Sequence, residues 1–138
     1  MKTYIVAYLS TLIVFVAIDF IWLSSMADRL YRPMLGDLLA PNFQLAPAVA
    51  FYLIYAAGLT FLAVRPGLVL GSLSTAILYG AALGFTAYAT YDLTNQSTLR
   101  NWSTTLTIAD LMWGTFLSAV AAGAGQWVTE RIIGSTGH

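Results

Sequence analysis

Cysteine is absent from the 138 residues. Disulfides, thiolate catalysis, zinc ribbons and iron–sulfur clusters are excluded with it. The single histidine is the last residue, His138, in a polar GSTGH tail. That leaves no footing for histidine-based catalysis, haem ligation or a histidine metal site. Charge is the next deficit. Asp, Glu, Lys and Arg make up 9% of the chain, against about a quarter in a soluble domain. A surface so poor in charge is not built for water, so the main solvent is lipid. Six basic and six acidic residues cancel. No basic excess is left to hold nucleic acid, and no charge run marks a tail. A serine triad, a glycine-rich phosphate loop and a nucleotide motif are also missing. No cofactor and no metal is expected, because lone aspartates offer no ligand spacing.

What the chain does have is carbon: 59% hydrophobic residues and a mean hydropathy of +0.75. Its length fits one domain, expected to be an all-α integral membrane protein with four transmembrane helices in an up-down bundle. The spans are expected at about 4–26, 47–64, 70–92 and 105–128. Tyr4 to Ser24 is long enough to cross a hydrocarbon core of about 30 Å and carries one charge, Asp19. Lys2 before an apolar run also suits a signal peptide, but this run is too long and has Asp19 inside it. The second span has no charge and starts at Pro47, a residue suited to a first helical turn. Arg65-Pro66-Gly67 reads as a tight turn into the third span.

Residues 27–46 form a longer connection. Leu30, Met34 and Leu38 recur every fourth residue beside Asp28, Arg29, Arg32 and Asp37, while Pro33, Gly36 and Pro41 interrupt them. A short interfacial helix and an irregular loop fit equally. Gly80 and Gly84 in the third span, and Ala119 and Gly123 in the fourth, are small residues four apart. Such pairs let helix backbones approach closely, inside the bundle or across a homodimer face. Lys2, Arg65 and Arg131 fall on the side of the termini, and Arg29, Arg32 and Arg100 on the other. This tie gives the positive-inside rule nothing to decide. We place the termini in the cytoplasm as an expectation only.

The polar residues converge in one leaflet. Asp19 lies five residues before Ser24, and Asp110 lies five residues inside the fourth span, so each is about 8 Å deep. Asp92 is at the matching end of the third span. Buried acids are functional candidates by default. Asp19, Asp92 and Asp110 are therefore the candidate acid/base groups. Carboxylates brought together repel and come to share a proton. Arg100 is the candidate counter-ion and head-group ligand, with Asn95 and Asn101 beside it. Tyr88 shares a face with Asp92 at i, i+4, and Tyr91 lies next to it. Trp22 and Trp113 each follow an aspartate by three residues, and Tyr52 and Tyr55 enter the same leaflet from the second span. The strings DFIWLS and DLMWGT match in helices one and four, a likeness too short to make an inverted repeat. Trp22, Trp102 and Trp127 sit near span ends, where interfaces collect tryptophan.

Three runs together carry a resemblance: Tyr91-Asp92-Leu93-Thr94-Asn95, Ser97-Thr98-Leu99-Arg100-Asn101-Trp102 and Asp110-Leu111-Met112-Trp113-Gly114-Thr115. With Asp19-Phe20-Ile21-Trp22-Leu23, they resemble a family of small bacterial predicted membrane proteins classed as a domain of unknown function. The resemblance implies a four-helix protein of the bacterial inner membrane and no particular reaction. Three functions compete. The first is a lipid-phase enzyme or subunit that binds or modifies a lipidic or other apolar small molecule, with the aspartates as acid and base. The second is a small oligomeric proton-coupled transporter or channel, which needs a polar path through both leaflets. The third is a structural or assembly subunit whose acids tie helices together.

Overall fold

The computed structural model describes residues 2–26, 45–100 and 102–133. The expected interfacial helix or loop at 27–46 lies outside the described residues up to 44, as do Arg29, Arg32, Asn101 and His138. Every regular element among the described residues is helical. Helix α1 spans Lys2–Met26. Helix α2 spans Leu45–Leu59, passes through a π-helical turn at Thr60–Val64 and continues without a break as α3, Arg65–Leu70. Helix α4 spans Leu73–Thr98 and α5 spans Thr104–Ile133. Three rods are long and apolar enough to cross a membrane: Lys2–Met26, Ala46–Leu70 and Thr104–Ile133. α4 is not among them, since its threonines, glycines and tyrosines dilute its apolar residues.

Two boundaries differ from expectation. The Arg65-Pro66-Gly67 turn is not formed, because the helix runs through it. A proline inside a regular α-helix loses a hydrogen bond and clashes with the preceding turn. The π turn restarts the ladder, which places Pro66 in the first turn of α3, where proline is tolerated. The actual corner is Gly71-Ser72. Gly71 adopts φ 63°, the one positive φ among the described residues. Ser72 donates its N–H to Gly67 O at 2.9 Å and its Oγ caps α4 by accepting from Thr75 N–H. The second difference is at 93–98, expected as loop but helical to Thr98. Hydroxyls on this polar stretch donate back to carbonyls three or four residues earlier: Thr94 to Thr90, Ser97 and Thr98 to Thr94. The helix thus supplies its own polar partners.

Helix α5 is the centre of the bundle, with half of its most apolar window buried, against 22% for α1. α1 meets it along one stripe, Thr3, Ala7, Thr11, Phe15 and Asp19, spaced every fourth residue. α4 meets it along Ala76, Gly80, Gly84 and Asp92. The glycines set this second contact. A Cβ on Gly84 would lie 2.4 Å from Gly114 O, and one on Gly80 would lie 2.7 Å from Ser118 O. Gly123 packs on Ile77 in the same seam. Gly80, Gly84 and Gly123 thus pack against the chain's own helices. The seam pairs 80 with 118 and 96 with 107, so α4 and α5 are antiparallel. Contacts of Thr11 with Gly125 and of Asp19 with Trp113 make α1 and α5 antiparallel as well. The core between them holds Phe15, Leu59, Leu68 and Leu117, all fully buried.

Candidate functional site

The antiparallel order brings one end of each rod together: the C-terminal turns of α1 and α4 and the N-terminal turns of α2 and α5. Asp19, Asp92 and Asp110 all lie at this end and all are buried. They do not form one cluster. They fall into two stations: Asp19 is bonded by Tyr52 of α2 and Trp113 of α5, while Asp92 of α4 faces Asp110 of α5.

At the first station α1, α2 and α5 meet on Asp19. Tyr52 Oη donates to Asp19 Oδ2 at 2.6 Å, and Trp113 Nε1 donates to Asp19 Oδ1 at 3.2 Å. Both carboxylate oxygens are engaged, each from a different helix. Trp22 stacks on Trp113 with centroids 4.3 Å apart and planes 11° from parallel. The stack roofs the carboxylate. Below it Phe15 packs edge-on against Tyr52, at 5.9 Å. Asp19 ends the every-fourth stripe of α1, which is why it faces inward.

At the second station α4 meets α5. Asp92 continues the Gly80, Gly84, Tyr88 row and faces Asp110 at hydrogen-bonding range. Asp92 is 0% exposed, and apart from the facing Asp110 carboxyl no described residue hydrogen-bonds it. Tyr91 lies within electrostatic reach of both acids. Tyr88 sits in a notch on α5 where Gly114 has no side chain, since a Cβ there would fall 2.2 Å from the ring. Towards the end of the bundle, a short network closes the station. Trp102 Nε1 donates to Thr107 Oγ1 at 3.1 Å, and Thr107 Oγ1 donates to Gln96 Oε1 at 2.8 Å. Gln96 Nε2 then donates to Thr104 Oγ1 at 2.9 Å. Trp102 is thereby buried, not part of an exposed belt, while Trp127 is 51% exposed.

Beside this station is an apolar cleft of about 260 Å³ between α2 and α4, lined by Phe51, Ala87, Tyr88 and Tyr91. Two of its lining residues, Tyr88 and Tyr91, precede Asp92 on α4, and neither Asp92 nor Asp110 lines it. Arg100 is exposed just past α4 and bonds neither Asp19 nor Asp92. Asp19 takes its hydrogen bonds from a hydroxyl and an indole. Asn95 is half-buried on the last turns of α4. Tyr55 joins neither station. Its hydroxyl pairs with Ser118 Oγ at 2.7 Å nearer the centre.

Several buried polar side chains escaped sequence reasoning, among them Thr11, Ser118, Gln126 and Thr129, each 0% exposed. Gln126 Nε2 donates to Gly67 O at 3.2 Å, at the opposite end from the acids. The signal on α5 was present. Thr107, Asp110, Gly114, Ser118, Ala121, Gly125 and Thr129 repeat every three or four residues and mark the inner face of α5.

Among the described residues no group of acids or histidines is arranged to hold a metal ion. A family model described as "Predicted membrane protein (DUF2177)" matches residues 4–127. No curated protein and no solved structure matches the chain.

Proposed function

We propose, from the premise that the chain belongs to this family of predicted membrane proteins, that it takes an apolar or lipidic molecule from the bilayer. The molecule enters the cleft between α2 and α4 and meets the Asp92–Asp110 pair. In this reading α4 is the fourth crossing. Its 26 residues reach about 39 Å at helical rise. Its less apolar surface is acceptable because its glycine row is spent against α5.

One observation carries the reading: Asp92 is fully buried and faces a second carboxyl, and no other described residue hydrogen-bonds it. Buried acids are functional candidates by default, and two that face each other make a place where a proton is held or moved. Two facing carboxyls hold one negative charge more readily than two. Such a pair donates a proton to a ligand through one acid and accepts it back through the other. Tyr88 and Tyr91 would line the approach, and the apolar cleft would hold the ligand's hydrocarbon part. Asp19, with both oxygens engaged, fits the tying role instead.

The test is retention. Purified protein is extracted with organic solvent and the extract analysed by mass spectrometry. A small apolar molecule held by the wild type should be lost from Ala87→Trp, which fills the cleft, and reduced in Asp92→Leu. Equal retention in all three proteins sinks the reading. A polar line along α5 through Ser118 and Gln126 favours a second reading, proton-coupled transport. Phe15, Leu59 and Leu117 weigh against it, because they close the centre of the bundle with carbon.

A further inference from the structure

The opposite end of the molecule has a cleft that the acid stations do not use. It lies between α1 and the α2–α3 rod, has a volume of about 340 Å³ and is lined by Tyr4, Tyr8, Ala57, Thr60, Phe61 and Arg65. Most of its polar atoms are turned away from it. Tyr8 Oη donates to Leu53 O at 3.1 Å, and Thr60 Oγ1 donates to Ala56 O at 2.7 Å. What the cleft presents is largely carbon, with one cation at its mouth.

The π turn builds this arrangement. Arg65 N–H bonds Thr60 O, five residues back. In a regular α-helix, residues five apart fall on well-separated flanks, about 140° apart. The wider π turn brings Thr60 and Arg65 towards the same side. The guanidinium then lies over the Phe61 ring, 5.3 Å from its centroid, in cation–π contact. Lys2 and Arg131 are exposed at the same end, and Arg131 lies over Trp127 at 4.9 Å. Against them stands Glu130, which accepts from Gln126 Nε2.

We infer that this cleft binds an anionic glycerophospholipid, with the phosphate on Arg65 and one acyl chain between α1 and α2. A neutral lipid would fill the carbon-lined space and leave the guanidinium without an anion. Free phosphate would satisfy the guanidinium and leave the apolar space open. An anionic phospholipid answers both, and the planar guanidinium matches a phosphate with two parallel hydrogen bonds. This site is independent of the acid pair and stands or falls separately.

The experiment titrates purified full-length protein in detergent with phosphatidylglycerol or phosphatidylcholine and counts bound lipid by native mass spectrometry. Wild type should prefer phosphatidylglycerol by about fivefold, the factor expected for one basic residue at an anionic surface. Arg65→Gln should abolish that preference and Arg65→Lys should keep most of it. Ala57→Leu should weaken both lipids by narrowing the cleft. Arg131→Gln, at the same end but outside the cleft, should leave the preference unchanged. The inference is overturned if Arg65→Gln retains the preference, or if Arg131→Gln loses it equally, which would mean diffuse surface charge. Displacement of the lipid by an equal concentration of inorganic phosphate would also overturn it.

Discussion

Asp19 and Asp92 are the same residue type at the same end of the same bundle, and their surroundings are opposite. Asp19 receives a hydroxyl from α2 and an indole N–H from α5, under a stacked pair of tryptophans. Asp92 receives no hydroxyl, amide or indole donor from the described residues and faces another acid. A carboxylate in a dry interior is tolerated when donors satisfy it. Asp19 meets that condition and so serves as a knot between three rods. Asp92 does not, so stability alone gives no reason for it. The lesson is that burial of an acid says little about its role until its partners are counted.

The comparison can be broken in four ways. Gly84→Val should have the largest effect, because its side chain would collide with the Gly114 carbonyl. We expect about 3 kcal/mol of destabilisation, read from unfolding in mixed micelles. The acid pair should separate while the Tyr52–Asp19 bond persists. If the Tyr52–Asp19 bond fails first, the two stations are not independent. Asp19→Leu comes next, at about 2 kcal/mol, since it strands the Tyr52 hydroxyl and Trp113 N–H together. Tyr52→Phe removes one of those donors and should cost about 1 kcal/mol by the same measurement. Asp92→Asn should change stability least, within about 0.5 kcal/mol in either direction, because the amide can still donate a hydrogen bond to the Asp110 carboxylate. Its cost should appear instead in ligand retention or in a cellular phenotype. A large stability loss in Asp92→Asn, with function intact, would turn the second station into another knot.

Three long apolar helices were legible, because apolar runs of this length have one reading in lipid, while α4 is a helix too dilute in apolar residues to be read the same way. The inward aim of Asp19 was legible too, as the fifth member of a row that begins at Thr3. Two boundaries were not. A π turn leaves no mark on hydrophobic pattern, so Arg65-Pro66-Gly67 carried every sign of a turn while the chain stayed helical. Residues 93–98 are polar, and polarity reads as loop. The fact that their hydroxyls feed the helix's own carbonyls emerges only in three dimensions. The shared end of the three acids follows from alternating helix direction. Which acid faces which does not, since that depends on α5 lying between α1 and α4. Nor could the sequence show that Tyr52 and Trp113 supply the donors to Asp19.

The Trp22–Trp113 stack also makes the molecule optically readable. Two indoles 4.3 Å apart and 11° from parallel couple their electronic transitions, which gives a circular-dichroism couplet that single tryptophans lack. One indole belongs to α1 and the other to α5, so the couplet reports closure of that pair of helices alone. Trp102 and Trp127 lie elsewhere and contribute only background. The protein therefore carries an unlabelled gauge of its own assembly, readable in micelle or vesicle before any ligand is known.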